Sequence, residues 1–343
     1  MSKTVLVTGA SGFIALHCIR ELLEQGYRVR ATLRTPHREN EVRSALTRAG
    51  AGLEALEFAQ ADLMSDNNWD RAAEGCAYAL HVASPFPAAP PKDENELIRP
   101  ARDGAVRVLK ACADSGVKRV VLTSSVAAIA YGHPFDNQRV FSEKDWSDDQ
   151  SPTIGAYEKS KTLAERAAWA FIATPDAKGM ELNTINPGAV LGPLLSADSG
   201  TSAEIVRQLM TGALPACPRV GFACVDVRDV ARAHVAAMTS AQARQRYLMS
   251  AQFAWFKDIA DILQPHLAPR GLRVPTGELP DFIPKLLVPI KPELKSVVNS
   301  LGRTYFCDGS KVTRELNIGY RSLEEMTISM ADSLLALGIV KAR

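Results

Sequence analysis

The fold is decided by the stretch Thr4-Val5-Leu6-Val7-Thr8-Gly9-Ala10-Ser11-Gly12-Phe13-Ile14-Ala15. Residues 4–8 are apolar and β-branched, as a strand buried on both faces requires. Residues 13–25 repeat apolar side chains at helical spacing, with Ile14, Cys18, Leu22 and Leu23 on one face and Gly26 as the stop. Between them lies Gly9-Ala10-Ser11-Gly12. A strand, a glycine turn and a helix in that order aim backbone N–H groups and the positive end of a helix at one point, which suits a pyrophosphate. The Gly-x-x-Gly spacing differs from the three-glycine fingerprint, and Ala15 takes the third small position. A purely structural turn is the competing reading, and the strand–turn–helix context weighs against it.

Outward from this point, short apolar runs alternate with helical periods. Strands are expected at 27–33, 54–60, 77–83, 119–124 and 182–186, and helices at 96–115 and 156–171. That alternation predicts an α/β fold: a Rossmann-type, doubly wound parallel sheet with right-handed crossovers. We read residues 1–190 as the dinucleotide-binding domain, with 220–250 returning to it. From Pro193 to Pro292, prolines cut the chain into short pieces, apart from a helix over 226–239 capped by Asp226. Residues 191–343 are therefore expected to form a smaller, irregular, mainly substrate-binding region, discontinuous with the sheet. The apolar residues of its first part suit a moderately bulky, apolar substrate.

Composition narrows the function. The chain has 343 residues, 46% hydrophobic and 23% charged, which excludes a disordered chain or a small disulfide scaffold. Lys and Arg number 40 against 38 Asp and Glu, a net charge of +2, so neither nucleic acid nor a membrane surface is an expected partner. The partner expected is a small molecule chosen by a local site. The six cysteines lack C-x-x-C or Cys/His metal spacing and read as small buried thiols, with no metal expected. Without an apolar leader or a run of about 18 apolar residues, the expectation is a soluble cytoplasmic protein.

Two further clusters carry chemistry. The second strand ends Ala31-Thr32-Leu33-Arg34, where a carboxylate would bind the ribose 2′-hydroxyl of NAD. Arg34 instead suits a 2′-phosphate, which argues for NADP(H). A solvated basic face is the alternative. The segment Tyr157-Glu158-Lys159-Ser160-Lys161 sets a phenol and an ammonium one helical turn apart. An ammonium beside a phenol lowers its pKa, so Tyr157 is expected to approach neutrality and to exchange a proton with a carbonyl or alcohol. The strand before it ends Thr123-Ser124-Ser125, hydroxyls that can donate to a developing alkoxide.

TGASGFIA at 8–15, ADL at 61–63, HVASP at 81–85, VLTSS at 121–125, YEKSK at 157–161, INPGAVLGP at 185–193 and VDVRDVARAH at 225–234 together resemble the extended short-chain dehydrogenase/reductases. More narrowly they are similar to the group of dihydroflavonol reductases, cinnamoyl-CoA reductases and fungal-type NADPH-dependent carbonyl reductases. The resemblance implies an NADPH-dependent carbonyl reductase with Ser125 as catalytic serine, Tyr157 as acid/base and Lys161 on the nicotinamide ribose. It implies that Gly9, Ser11, Gly12, Phe13 and Ile14 meet the pyrophosphate and that Asp62 and Leu63 meet adenine. Val82, Ala83 and Ser84 would pass under the pyrophosphate and ribose, with Thr123 nearby. Pro187, Gly188 and Val190 would meet the carboxamide end, and Ser202 a phosphate. The resemblance implies a monomer or a homodimer, because the Tyr-bearing helix often pairs in dimers of the superfamily while the nearer group includes monomers.

Two positions depart from the group. Ala130 stands where flavonoid-specific reductases have an Asn, and Glu41 where a Lys would support Arg34, leaving Arg38 or Arg43 for that role. A nucleotide-sugar epimerase or dehydratase, and a non-catalytic NADP sensor, are the rival functions. Tyr131, His133 and Phe86 are candidates to line a pocket, with loop packing as the equal alternative. His81 and His234 are expected to be structural, and so are Asp226 and Asp229. Phe253, Trp255 and Phe256 are expected in the core or an interface.

Overall fold

A computed structural model describes residues 2–84, 93–198, 200, 202–290 and 294–341. Its centre is a seven-stranded, all-parallel sheet. In chain order the strands are β1 (Thr4–Val7), β2 (Arg28–Leu33), β3 (Leu56–Gln60), β4 (Tyr78–His81), β5 (Arg119–Thr123), β6 (Glu181–Pro187) and β7 (Arg246–Met249). In space they run β7-β6-β5-β4-β1-β2-β3. The order reverses between β1 and β4, which leaves a crevice at their carboxyl ends. The expected Rossmann-type doubly wound sheet is what forms.

The strands are short and nearly continuous in apolar residues because helices cover both faces. On one face, α1 (Phe13–Glu24) and α2 (Glu39–Arg48) pack with a later helix, α6 (Val227–Thr239). Leu16, Ile19, Val230 and Val235 meet there. On the other face, α3 (Asn95–Asp114) lies along α4 (Ala156–Ile172), burying Val108, Leu109, Ala168 and Ile172.

The chain beyond 190 is more regular than its prolines suggest. Ala189–Leu191, Gly221–Asp226 and Gln252–Trp255 form a small mixed sheet. Over it pack α5 (Ser202–Thr211), α7 (Phe256–Leu267) and α8 (Leu323–Ala336), around Leu209, Ile259, Leu263, Met326 and Met330. Helix α7 runs through Pro265, which forfeits the one ladder bond its missing N–H would have made to the carbonyl four residues back. Ser322 caps α8 by accepting the Glu325 N–H at 3.1 Å. Among the described residues no helix is long and apolar enough to cross a membrane.

Of the residues singled out as structural, Asp226, Asp229 and Phe256 sit as expected, while Phe253 and Trp255 are half-buried. Asp226 caps α6, accepting the Arg228 N–H at 2.8 Å, and Asp229 pairs with Arg321. Phe256 is buried in the core, and Phe253 packs edge-on to Trp255. The described cysteines are free, and all but Cys307 are fully buried. His81 meets the Thr8 hydroxyl at 2.8 Å, and His17 Nε2–H donates to the Pro193 carbonyl at 2.8 Å.

Burial holds three imidazoles neutral: His17 and His234 are pushed down to about 4 and His81 to about 3. Unfolded, each takes a proton near 6.5. Between these values the unfolded chain binds more protons, so stability declines as pH falls. Each histidine contributes a slope of up to about 1.4 kcal/mol per pH unit. Urea unfolding from pH 7 to 4 should show a falling midpoint, with a shallower fall in His234→Gln.

Candidate active site

A cavity of about 540 Å³ opens along the carboxyl ends of the strands. Each of six strands sends the residues just past its end into the wall: Gly9 after β1, Arg34 after β2, Asp62 after β3, Val82 after β4, Ser124 after β5 and Gly188 after β6. The residues given a catalytic or cofactor role from the sequence lie in this wall, Ser11, Thr123 and Ser202 included; of the two candidates to support Arg34, Arg38 lies in it and Arg43 does not. The loop after β5 and the start of α4 bring Ser125, Tyr157 and Lys161 to the same space.

The glycine turn is built for close approach. Gly9 has φ +73°, and a Cβ there would stand 3.0 Å from the Cα of Ala83. Only glycine lets β1 and β4 end side by side in this way. Gly12 is the N-cap of α1, and no side chain caps that helix end. Gly12, Phe13 and Ile14 line the cavity, so the uncapped helix end faces it. Backbone donors without a side-chain cap fit an anionic group.

Ser125 has extended backbone geometry and caps the short turn Val126–Ala128, its Oγ accepting the Ala127 N–H at 3.1 Å. Its hydroxyl also meets Tyr157 and stands 3.4 Å from the Pro187 carbonyl. Lys161 Nζ lies 6.0 Å from the Tyr157 ring centroid and donates to Ser84 Oγ at 2.9 Å. Lys161 is 9% exposed, and burial lowers it to about 8, with Glu165 opposing.

Without the nicotinamide, whose positive charge is part of the expected lowering, Tyr157 moves in the opposite direction. Burial raises the phenol to about 12; Glu158 adds to the rise and the Ser125 hydrogen bond opposes it. Desolvation of the phenolate outweighs an ammonium that is 6.0 Å away and already engaged by Ser84. The chain by itself therefore holds Tyr157 as a protonated acid, the form a proton donor needs.

Other candidates divide. The Thr123 hydroxyl is committed to His234: with His234 Nδ1–H on the Val230 carbonyl, Nε2 accepts from Thr123 at 2.7 Å. Ser202 Oγ accepts the Val190 N–H at 3.1 Å, tying the start of α5 to the wall. The described wall includes neither Tyr131, stacked on Tyr305 at 4.6 Å, nor His133, which lines a separate cavity of about 20 Å³. Phe86 lies outside the described residues.

The sequence reading missed the support beneath the site. Glu165 is fully buried and accepts from Ser124 at 2.5 Å, Asn186 at 2.7 Å and Arg246 Nε at 2.6 Å. Asn186 also donates to the Ser125 carbonyl at 3.3 Å. Arg246 donates to the Glu143 and Asp145 carbonyls and lies 3.9 Å from the Trp146 ring centroid. One carboxylate thus ties α4 to the ends of β5 and β6 and to the edge strand β7. The signal was present: Tyr157, Lys161 and Glu165 recur every four residues, on one helical face.

Comparison with known proteins shows the family. Residues 5–249 match the NAD-dependent epimerase/dehydratase family, and the chain belongs to it. Within it, the chain falls among the extended short-chain reductases that include cinnamoyl-CoA reductases. It is 38% identical to cinnamoyl-CoA reductase CAD2 of Medicago truncatula over 89% of this chain and 92% of that one. It is 32% identical to tetraketide alpha-pyrone reductase 1 of Arabidopsis thaliana over 97% and 96%. The solved structure of yeast methylglyoxal/isovaleraldehyde reductase Gre2 with NADPH is similar at a TM-score of 0.80 and 28% identity, covering 98% and 99%.

Glu165→Gln leaves the Arg246 charge buried without its counter-ion and should cost about 3–5 kcal/mol of folding stability. Adding Arg246→Met removes the stranded charge and should recover most of that loss. Urea midpoints of the two proteins check both statements.

Proposed function

We propose that the chain is an NADPH-dependent reductase that converts an aldehyde or ketone to an alcohol. The observation that carries this reading is Tyr157, hydrogen-bonded to Ser125, in one cavity with Lys161, the glycine turn and Arg34. The reductases named above, one of them solved with NADPH, support the same class. Arg34, with no carboxylate at Leu33 or at its own position, favours the phosphorylated cofactor.

The pyrophosphate would lie on Gly9, Ser11, Gly12, Phe13 and Ile14, with adenine by Asp62 and Leu63 and the 2′-phosphate on Arg34. Val82, Ala83, Ser84 and Thr123 would flank the ribose and pyrophosphate. Pro187, Gly188 and Val190 would frame the carboxamide, and Ser202 would reach a phosphate. When bound, the cofactor supplies a hydride to the carbonyl carbon. Tyr157 gives its proton to the carbonyl oxygen, and the Ser125 hydroxyl hydrogen-bonds that oxygen as charge develops. Lys161, released from Ser84 to the ribose hydroxyls, keeps a positive charge near the phenolate left behind. Ala130 argues against a flavonoid substrate.

NADPH consumption with a panel of aldehydes, α-ketoesters and aryl ketones tests the reading. Tyr157→Phe should lower kcat by about 10²–10⁴ with NADPH binding retained. The wild-type rate should fall above about pH 8, where Lys161 loses its charge. An undiminished rate in Tyr157→Phe would refute the assignment.

A further inference from the structure

Two guanidinium groups stand in the cavity wall beyond β2, Arg34 and Arg38, and they are not equivalent. No ion pair engages Arg34 among the described residues. Arg38 is held from two sides. Its Nε and Nη2 donate to the two Glu41 oxygens at 2.9 Å each, fork to fork, and Nη2 also donates to Asp198 at 3.0 Å. Glu41 stands in the first turn of α2. Asp198 comes from a loop 160 residues on and itself lines the cavity. Arg43, the other basic candidate, turns instead to Glu39 at 2.8 Å and lies over the Phe58 ring. The described wall does not include it.

We propose that Glu41 and Asp198 form a carboxylate clamp that competes with the cofactor 2′-phosphate for Arg38, and so limits how far the chain prefers NADPH over NADH. The proposal rests on the cofactor reading above.

One guanidinium between two carboxylates carries a net negative charge. A phosphate approaching that triad meets no net attraction until a carboxylate lets go, so the attraction for the 2′-phosphate falls to Arg34. An unphosphorylated ribose suffers no such penalty, and its 2′-hydroxyl can donate to a carboxylate. The groups are partly exposed, with side-chain accessibilities of 32% for Arg38, 41% for Glu41 and 44% for Asp198, so screening keeps the effect moderate.

Nucleotide binding, read by quenching of tryptophan fluorescence, needs no substrate. Dissociation constants for NADPH and NADH are measured on the wild type, Glu41→Gln, Asp198→Asn and Arg34→Ala. Each neutralised carboxylate should tighten NADPH about fivefold and leave NADH within about twofold. Equal shifts for both nucleotides, or none, in these two variants overturn the clamp. NADPH binding that ignores Arg34→Ala overturns the cofactor reading instead. The two clamp residues lie on separate elements, so a folding defect in one variant leaves the other to decide.

Discussion

Tyr157 and Lys161 lie one turn apart on α4, and both lose water at the carboxyl ends of β5 and β6. Desolvation acts on them in opposite senses. It raises the phenol, which stays neutral, and lowers the ammonium to about 8, which keeps most of its charge at neutrality. The surrounding groups hold this imbalance in place. Ser125 faces the phenol, Ser84 holds the amine, and buried Glu165 supplies the negative charge that favours charged lysine.

The sheet makes that arrangement reachable. Its strand order reverses between β1 and β4, and Gly9 lets the ends of these two strands lie close together at Ala83. Helix α1 begins there without a side-chain cap. A dinucleotide laid across the crevice would meet the helix end on one side and the Ser125–Tyr157–Lys161 group on the other. On the proposed reading, the same opening chooses between cofactors at the far end of β2.

Much of this was legible in the sequence because local chemistry dictated it. The glycine turn, the continuous apolar strands and the helical period around Tyr157 each have one low-cost solution. Four features were not legible. Strand β7 is four residues, Arg-Tyr-Leu-Met, without β-branched side chains, and becomes a strand only because β6 offers an open edge. The prolines after 190 implied irregularity, yet α7 runs through Pro265. The pKa direction of Tyr157 depends on burial and on where Lys161 points. Motif spacing holds neither quantity. The Arg38–Asp198 pair spans 160 residues, so nothing local announces it.

The central claim is that the folded chain, before any cofactor arrives, keeps Tyr157 as a protonated acid. Carbon-13 labelling of the tyrosine ring carbon bearing the hydroxyl, with the Tyr157 resonance assigned by its loss in Tyr157→Phe, measures this directly. The account predicts a resonance that stays at its neutral-phenol position from pH 6 to about 10. A phenolate shift with its midpoint near neutrality in the cofactor-free protein would contradict it.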